Sequence, residues 1–514
     1  MTLRPLLAFF AIAPALLAQD QSKVDLSKLD SLISKAREEW KVPGLAVAIV
    51  KDGKIVHAKG YGVREVGKPN AVDADTVFAI ASNTKAFTGA AVAILEEDGK
   101  LEWDDHVQKH LPWLQLYDPY VSAEIRVEDL LCHRSGLGTF SGDLLWWGTP
   151  YSPEDVLRRV KHLKPAGSFR SHYGYSNLMF LAAGEVIAKT SGQSWQEFIE
   201  SHILKPVGMT RSVTSTNDLK GMQNVATPHK PKPDSISSIP WYNWDTMAAA
   251  GGIISSVNDM SKWLIVQMNH GKLDGDKRLF SEASSRKMWD AHTVIPVSKS
   301  SRERYPTTHF RAYGMGWSLS DYKGRKTVGH GGGYDGMYSR VMMVPEEKLG
   351  VVVLTNSMTG ISTAIANTVL DQYLAGDTRD WLGEGLKRDV ENRKEFYERI
   401  QKTITPKVIG TSPSRGLAAY TGSFQSDLYG DATVSQENGK LVLRLLPNKD
   451  LVADLSHLQY DTFVINWRSQ FAWFGKGTAQ FVMDSAGEMQ QIRLDVPNDD
   501  LWFYELELTR KEDK

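Results

Sequence analysis

The sequence pattern changes near Asp377, and this change determines how the chain can be divided. Before it, helical and strand-like segments are mixed, whereas the last hundred residues hold only short strand-like segments. Residues 380–402 between these regions alternate in charge, which predicts an exposed helix joining two domains. A chain of 514 residues is also longer than one hydrophobic core usually serves. We predict domains at 25–376 and 413–514, with a charged helical linker at 377–412.

The first region has the pattern of an α/β (α+β) fold. Apolar residues at helical spacing indicate its helices, and apolar runs bounded by turn residues indicate its strands. The predicted elements are helix 26–40, strands 45–50 and 55–61, helix 82–98, strands 338–344 and 349–355, and helix 361–374. Asp52-Gly53 between the first two strands is a strong hairpin signal. We therefore expect an antiparallel sheet flanked by helices, with a mainly helical lobe beside it.

The last region predicts a small antiparallel barrel or sandwich. Asn438-Gly439 is a turn signal that precedes the strand-like residues 441–445. Further short strands are predicted at 462–467, 479–483 and 491–496. Strands of this length at this spacing are typical of such folds.

The first eighteen residues are predicted to be a secretory signal peptide. Arg4 provides a positive start, residues 6–17 are almost all apolar, and Ala18 precedes a polar segment. The apolar run is shorter than the roughly 20 residues that span a bilayer, so an uncleaved anchor is the alternative. We expect an exported protein, periplasmic or secreted. The single cysteine, Cys132, excludes an internal disulfide and is expected to be a packed, unreactive residue.

Composition and absent motifs exclude several classes of protein. The 60 basic and 61 acidic residues nearly cancel, which gives no reason to expect nucleic acid or an anionic membrane as partner. After the signal, no stretch approaches the length of a membrane span. No His-Glu-x-x-His, paired-cysteine, phosphate-loop or Gly-x-Ser-x-Gly motif is present. We therefore predict no metal and no cofactor.

Ser82 and Lys85 form the first candidate catalytic pair. A serine hydroxyl becomes a useful nucleophile only when a base takes its proton, and a lysine three residues later on a helix lies on the same face. Burial can lower the lysine pKa enough for that role. Ser284 and Ser320 also precede a lysine at this spacing, so an ordinary capped helix end is the alternative. Ser82 differs because it begins an apolar helix.

Two further local patterns accompany this pair. Tyr175 and Asn177 precede a helix and could place a phenol and an amide near the serine. His330 begins a glycine run, 331–333, that allows close approach of a ligand to the backbone. Each pattern also has a structural interpretation, a helix entry for the first and a tight turn for the second.

Taken together, the three motifs resemble those of the beta-lactamase-related serine hydrolases, which have Ser-x-x-Lys, Tyr-x-Asn and Lys- or His-x-Gly in this order. That group includes class C beta-lactamases, penicillin-binding proteins, D-aminopeptidases and a class of carboxylesterases. Further segments that look like the family are 78–88, 129–137, 183–187, 206–209 and 251–255. The resemblance covers roughly 25–375. Residues 418–424 resemble the opening strand of a lipocalin-like β-barrel that follows such domains.

The resemblance implies a role for each motif residue. Ser82 matches the acylated serine, Lys85 its partner, and Tyr175 the tyrosine that accepts or relays the proton. Asn177 matches a polar residue of the substrate cleft. His330 and Gly332 match the strand beside the substrate, and Gly333 the second oxyanion donor after the Ser82 amide. Which of Lys85 and Tyr175 holds the proton at each step stays open.

One departure from the family bears on the substrate. Lactam-binding members commonly have a lysine where this chain has His330, and a mostly neutral histidine is a weaker anchor for a carboxylate. We therefore expect a carboxylesterase or D-amino-acid-directed peptidase acting on a small ester, amide or peptide. A beta-lactamase or D-Ala-D-Ala carboxypeptidase, or a catalytically silent penicillin-binding-protein-like module, are the alternatives. The barrel could gate the cleft, mediate homo-oligomerisation or stabilise the chain. The aromatic clusters at 146–151 and 241–244 could rim the cleft or form lobe core.

Overall fold

The computed structural model describes residues 24–232, 235–374 and 379–511. Its first region is built on an antiparallel sheet. The strands of this region are β1 (Gly44–Lys51), β2 (Lys54–Gly62), β3 (Phe78–Ala79), β4 (His229–Pro231), β5 (Ile236–Ser238), β6 (Ile254–Ser255), β7 (Thr293–Val294), β8 (Arg311–Tyr313), β9 (Ser318–Tyr322), β10 (Arg325–Tyr334), β11 (Met337–Val344) and β12 (Leu349–Thr355). The strand order in the sheet is β2-β1-β12-β11-β10-β9-β8-β7, while β3 pairs with β6 and β4 with β5 as short separate ribbons.

The helices cover both faces of this sheet and build the lobe beside it. They are α1 (Leu26–Glu39), α2 (Lys85–Glu97), α3 (Val107–His110), α4 (Pro119–Glu124), α5 (Val127–Leu130), α6 (Pro153–Arg159), α7 (Asn177–Ser191), α8 (Trp195–Ile199), α9 (Lys205–Val207), α10 (Ala248–Gly251), α11 (Val257–Met268), α12 (Glu282–Met288), α13 (Lys299–Arg304), α14 (Ile361–Tyr373) and α15 (Trp381–Thr403). The predicted fold class, an antiparallel sheet with flanking helices and a helical lobe, is confirmed.

Strand β1 shows how the sequence determines these layers. All its residues but the last are buried, and successive side chains of a strand point to opposite faces. Leu45, Val47 and Ile49 belong to the core beneath α1 and α14. Ala46 and Ala48 alternate with them and belong to the larger core on the other face. The predicted Asp52-Gly53 hairpin is also present, with both residues at positive φ, 52° and 72°.

The charged segment after the sheet is a single helix, α15, as its sequence predicts. It is docked on the first region along part of its length. The indole of Trp40 donates to the carbonyl of Leu382 at 3.2 Å, and the amide of Gly360 donates to the carboxylate of Asp389 at 2.9 Å. Ile400 near its end is buried. The boundaries predicted for the linker, 377–412, stay a prediction.

The last region is a closed barrel. Its strands are β13 (Gly422–Ser426), β14 (Gly430–Glu437), β15 (Lys440–Leu445), β16 (Val452–Gln459), β17 (Thr462–Trp467), β18 (Gly477–Met483), β19 (Met489–Asp495) and β20 (Leu508–Arg510), and β13 closes on β20. The predicted barrel is therefore confirmed over the sandwich alternative. The opening segment differs from expectation, because residues 417–420 form a 3₁₀ turn that buries Tyr420 before the first strand begins.

The barrel packs against loops of the helical lobe. The carboxylate of Glu505 accepts hydrogen bonds from the Ser141 hydroxyl at 2.5 Å and from the Gly142 amide at 2.9 Å. The amide side chain of Asn448 donates to the carbonyl of Trp147 at 3.1 Å. Since the lobe loop at 141–147 also borders the cavity at Ser82, described below, the barrel helps to fix one side of that cavity.

Candidate active site

Ser82 lies in a 3₁₀ turn, Ala81–Thr84, that leads directly into the buried helix α2. This is the position that the sequence predicts, at the head of an apolar helix. Ala81 before it is fully buried and has a φ of 47°, in the left-handed region that a non-glycine residue adopts only at a cost of about 1–2 kcal/mol. Such backbone strain is concentrated at functional sites, and here it occurs at the residue directly before the serine.

Lys85 holds the centre of a buried hydrogen-bond network. Its amine contacts the Ser82 hydroxyl at 3.1 Å, the side-chain oxygen of Asn177 at 2.7 Å and the carbonyl of Ala250 at 2.8 Å. Burial holds the pKa of Lys85 well below its ordinary value, and the charge of Asp143 partly opposes this shift. A neutral amine has two protons for the two carbonyl-type oxygens, which leaves its lone pair directed at the serine hydroxyl.

Tyr175 is the second group in contact with the serine. Burial raises the pKa of its phenol well above the ordinary value, although a hydrogen bond with Ser82 lowers it in part. The Lys85 amine sits over the Tyr175 ring, 4.8 Å from its centroid. Because the phenol keeps its proton near neutral pH while the amine readily loses one, the two groups differ in what they can do. The amine suits the base, and the phenol suits a proton donor.

Asn177, the first residue of α7, is held by a carboxyl group that sequence reasoning missed. Its amide nitrogen donates to Asp143 at 2.7 Å, so that its oxygen faces Lys85. The indole of Trp146 donates to the other oxygen of Asp143 at 3.1 Å. Burial raises the pKa of Asp143 to about 8, while these two donors pull it down. We refer to Ser82, Lys85, Asn177 and Asp143 as the catalytic wall.

His330 belongs to strand β10, and its surroundings favour a neutral imidazole. Its Nδ1 donates to the carbonyl of Gly331, and its Nε2 accepts from the Tyr313 hydroxyl at 2.8 Å. Burial lowers the pKa of His330 to about 3, with the charge of Lys85 adding to the effect. The imidazole is therefore neutral near pH 7, as its identity led us to expect.

The glycines that follow His330 are needed for close packing. A Cβ atom at Gly332 would lie 2.3 Å from the carbonyl oxygen of Ile80, in the segment that carries Ser82. At Gly333 a Cβ atom would lie 3.1 Å from the ring of Trp473, a residue of the barrel. The strand can therefore pass this close to the Ser82 segment only because Gly332 lacks a side chain, whereas a side chain at Gly333 would require a small shift of the Trp473 ring.

These residues line one cavity of about 400 Å³. The predicted site residues around it are Ser82, Tyr175, Asn177, His330, Gly332 and Gly333. Lys85 lies beneath them, fully buried. The structure thus brings all seven predicted residues together, and their catalytic roles stay predictions.

The opposite side of the cavity comes from the barrel, through Trp473, Asp500 and Leu501, which we call the barrel wall. Burial raises the pKa of Asp500 to about 7, with Asp499 and Asp335 adding to the rise. Among the described residues, no group donates a hydrogen bond to its carboxyl oxygens. Sequence reasoning missed Asp500, because nothing local distinguishes it from a surface carboxylate in a polar loop.

The tryptophans of the helical lobe both line the cavity and belong to the core of the lobe, the two alternatives that the sequence left open. Trp146, Trp147 and Trp244 line the cavity, yet each is nearly buried in the core. Trp146 packs edge-on against Trp244 with ring centroids 5.0 Å apart, and Trp147 contacts Phe471 of the barrel at 5.4 Å. The cavity therefore has an aromatic side, while its polar lining consists of the reacting groups, two carboxyl groups and the hydroxyls of Ser339, Ser362 and Thr363.

The structure also describes other residues that the sequence singled out. Cys132 is buried, and burial raises the pKa of its thiol to about 12, which makes it unreactive. In the described part of the chain, no group of three or more His, Cys, Asp or Glu side chains is arranged to hold a metal ion. Nor does that part contain a helix long and apolar enough to cross a membrane. The predicted signal peptide, 1–18, lies outside the described residues.

Comparison with known families divides the chain in two. Residues 29–375 match the family described as Beta-lactamase, and residues 406–510 match a domain family of unknown function, DUF3471. The first match covers more than half of the chain and contains every predicted site residue.

Relatives with curated names are distant. An unguisins hydrolase of Aspergillus campestris, ungD', is 28% identical over 436 residues, covering 78% of this chain and 76% of the relative. Protein flp of Staphylococcus aureus is 28% identical over 335 residues, covering 64% and 62%. The structure of an octameric penicillin-binding protein homologue from Pyrococcus abyssi aligns over 95% of this chain and 100% of its own, with a TM-score of 0.61 and 25% identity.

Proposed function

Because this chain belongs to the beta-lactamase family, we propose that it is a serine hydrolase that cleaves ester or amide bonds through an acyl-enzyme on Ser82. The observation that carries this proposal is the hydrogen-bond network of the catalytic wall. A lysine of lowered pKa contacts the serine at 3.1 Å, and its two other partners are acceptors that leave the lone pair for the serine proton. A binding module would have no need for this arrangement.

The proposed reaction follows from the two different pKa shifts. The Lys85 amine takes the proton of Ser82, whose Oγ bonds to the substrate carbonyl carbon. The amides of Ser82 and Gly333 donate to the oxyanion, and each such donor is worth about 3 kcal/mol in other hydrolases. When the oxyanion re-forms the carbonyl, the bond from the carbon to the leaving group breaks. The Tyr175 phenol gives its proton to the leaving group and takes one from the Lys85 ammonium. In deacylation, the Lys85 amine takes a proton from water, whose oxygen bonds to the acyl carbon. The bond from that carbon to the Ser82 Oγ then breaks, and the Lys85 ammonium returns the proton to Oγ.

The barrel wall favours one class of substrate within this reaction. A carboxylate without a hydrogen-bond donor, facing an aromatic cavity, fits an apolar acyl group that carries a cationic amine. We therefore place D-amino-acid-directed peptidase activity ahead of carboxylesterase activity. The name of the relative from Aspergillus campestris, a hydrolase of unguisins, supports a proposal of small organic substrates but does not select one. Neutral His330 disfavours a beta-lactamase or D-Ala-D-Ala carboxypeptidase.

The first test is labelling with a fluorophosphonate, followed by intact mass measurement. We expect one adduct on the wild type and none on Ser82→Ala. Ser320→Ala is the matched control, because Ser320 has the same spacing to a lysine but lies on strand β9, and it should label like the wild type. Folded wild type that stays unlabelled would remove the hydrolase proposal and favour a silent binding module.

The second measurement ranks substrates by kcat/KM. Short-chain esters, D-aminoacyl anilides with a free or acetylated amine, and a chromogenic cephalosporin separate the candidate activities. We expect the free-amine anilides to have a higher kcat/KM than their acetylated forms. A cephalosporin in first place would contradict the inference drawn from His330.

Export to the periplasm or the medium is proposed on residues 1–18 alone, and fractionation of cells with and without these residues tests it. Assembly into homo-oligomers is proposed because the Pyrococcus abyssi homologue is octameric, and light scattering of the purified protein tests it.

A further inference from the structure

A second cavity, of about 670 Å³, lies beside strands β8–β11 and helices α13 and α14. It is lined by an unusual number of arginines for a protein of nearly zero net charge: Arg304, Arg311, Arg340, Arg379 and Arg388. Arg340 follows Ser339 on strand β11, and Ser339 faces the Ser82 segment through a hydrogen bond to Ile80. Because side chains alternate along a strand, Arg340 projects from the opposite face of the sheet.

Four of these arginines have no carboxylate partner among the described residues. Only Arg379 is paired, through two short contacts to Glu384. The acidic groups that line the cavity, Glu303 and Asp321, are turned to other partners. The Glu303 carboxylate lies 3.9 Å from the Lys299 amine. The Asp321 carboxylate accepts hydrogen bonds from the backbone amides of residues 309 and 310.

Two of the unpaired arginines, Arg304 and Arg340, are also short of hydrogen bonds, whereas Arg311 donates to the Ser301 hydroxyl at 3.3 Å. The Nε atoms of Arg340 and Arg304 are buried and have no acceptor in the part of the chain that the structure describes. Burying a guanidinium without an acceptor costs free energy that a folded protein normally avoids. Clustering like charges adds to this cost. An anionic ligand would remove both penalties.

We propose that this cavity is a binding site for a small anion that bears phosphate or carboxylate oxygens. Planar guanidinium groups bind such oxygens in pairs of parallel hydrogen bonds. The volume lies within the range of ordinary small-molecule sites, so the ligand can be larger than a single phosphate. The Tyr305 phenol, which accepts from Asn367 at 3.1 Å, adds a further polar group at the cavity.

The site lies next to the catalytic cleft. Thr363 lines both cavities, and Arg340 is paired in register with Gly331, beside His330. The anion could therefore be one end of the substrate or a separate effector molecule. Both sources share the same oxyanion chemistry, and kinetics can distinguish them.

The test uses the full chain with inorganic phosphate and citrate as probes, at constant ionic strength set with chloride. We expect either probe to raise the Tm of the wild type and to bind by calorimetry. Arg340→Met keeps the length of the side chain and removes the charge, and it should weaken binding at least tenfold. Arg493→Met, at an exposed site on the barrel, is the matched control and should bind like the wild type.

A purely structural role for Arg340 predicts a different result. If Arg340 serves the fold, its loss lowers the Tm in anion-free buffer, whereas a vacant anion site predicts an unchanged or higher Tm. Arg304→Met gives a second variant should Arg340→Met fail to fold. Equal responses of wild type and both variants to phosphate and citrate, or no response in the wild type, would overturn the proposal.

Two further arms identify the source of the anion. Competitive inhibition of ester hydrolysis by phosphate assigns the site to the substrate, and binding without competition assigns it to a separate ligand. Calorimetry is repeated on Ser82→Ala, which holds the arginine cluster intact. Binding there without any fluorophosphonate labelling of the wild type would uphold the anion site while removing the proposed hydrolase.

Discussion

The two walls of the catalytic cleft treat a buried carboxyl group in opposite ways. In the catalytic wall, Asp143 accepts from Asn177 at 2.7 Å and from Trp146 at 3.1 Å, so its oxygens are occupied by the protein. In the barrel wall, Asp500 lines the same cavity, but no described residue donates to its carboxyl oxygens. Burial raises the pKa of both, to about 8 and about 7.

This difference indicates a division of labour. A carboxyl group with its hydrogen bonds satisfied inside the protein fixes the positions of its neighbours, here Asn177 and through it Lys85. A carboxyl group that faces a cavity without donors is available to a ligand. We infer that the catalytic wall performs the reaction and that the barrel wall selects the substrate. The predictions below test each wall in turn.

The largest effect is expected for Lys85→Met, which tests whether the catalytic wall performs the reaction. Removing the amine removes the base for Ser82, and proton transfer by a positioned group is worth about 10²–10⁴-fold in rate. We expect kcat/KM to fall by about that factor for every substrate, charged or neutral. Steady-state kinetic assays measure this loss of kcat/KM. Lys100→Met, at an exposed position, is the control. A variant that keeps more than half of the wild-type activity would contradict the role of Lys85.

A smaller effect is expected for Asp143→Asn, because Asp143 acts on the reaction only through Asn177. We expect kcat to fall by about 10–100-fold, the range seen when a supporting hydrogen-bond partner is removed. Because the pKa of Asp143 is raised to about 8, this group is mostly neutral on the acid limb of the kcat/KM profile, so its replacement by a neutral amide should leave that limb unmoved.

The pH profile separates positioning from a general loss of structure. Asp218→Asn, at an exposed position, is the control and should leave both the rate and the profile unchanged. A lower kcat for Asp143→Asn together with a moved acid limb would show that Asp143 acts on Lys85 through its charge rather than by positioning Asn177.

Much of the fold could be predicted because its signals are local. The strand at 462–467 and the helix after Asp380 follow from residue types that are adjacent in the sequence. The catalytic wall was predicted in part for the same reason, since Ser82 and Lys85 lie on one helical turn and Asn177 begins a helix.

The remaining site residues have no local signal. Asp143 lies 34 positions before Asn177 in an aromatic loop, and only the packing of that loop against α7 turns its carboxyl group towards the amide. Asp500 and Trp473 lie in a separate barrel, so their place in the cleft depends on how the barrel docks against the lobe. A sequence pattern reports periodicity along the chain and carries no information about such contacts.

The smallest effect is expected for Asp500→Asn, and it tests whether the barrel wall selects the substrate. For an anilide with a free amine we expect KM to rise about tenfold, while the acetylated form is unaffected, because only the charged substrate gains from the carboxylate. The sign of the pH dependence follows from the raised pKa. Asp500 is mostly neutral below about pH 7 and mostly ionised above it, so the wild-type KM for the amine should fall by about fourfold between pH 6 and 7.5, and by about tenfold only over the whole titration.

The acetylated anilide is the internal control for this profile, because it reports every other titration in the cleft but not the attraction between charges. In the wild type, the ratio of the KM values for the two substrates should change with pH. This change should be absent from Asp500→Asn. Glu507→Gln, on an exposed carboxylate of the barrel paired with Lys164, controls for the overall charge. If the KM ratio changes equally with pH in the wild type and in Asp500→Asn, the barrel wall does not recognise the amine of the substrate. The barrel would then act on the cleft only through the packing of Trp473 against the glycine strand.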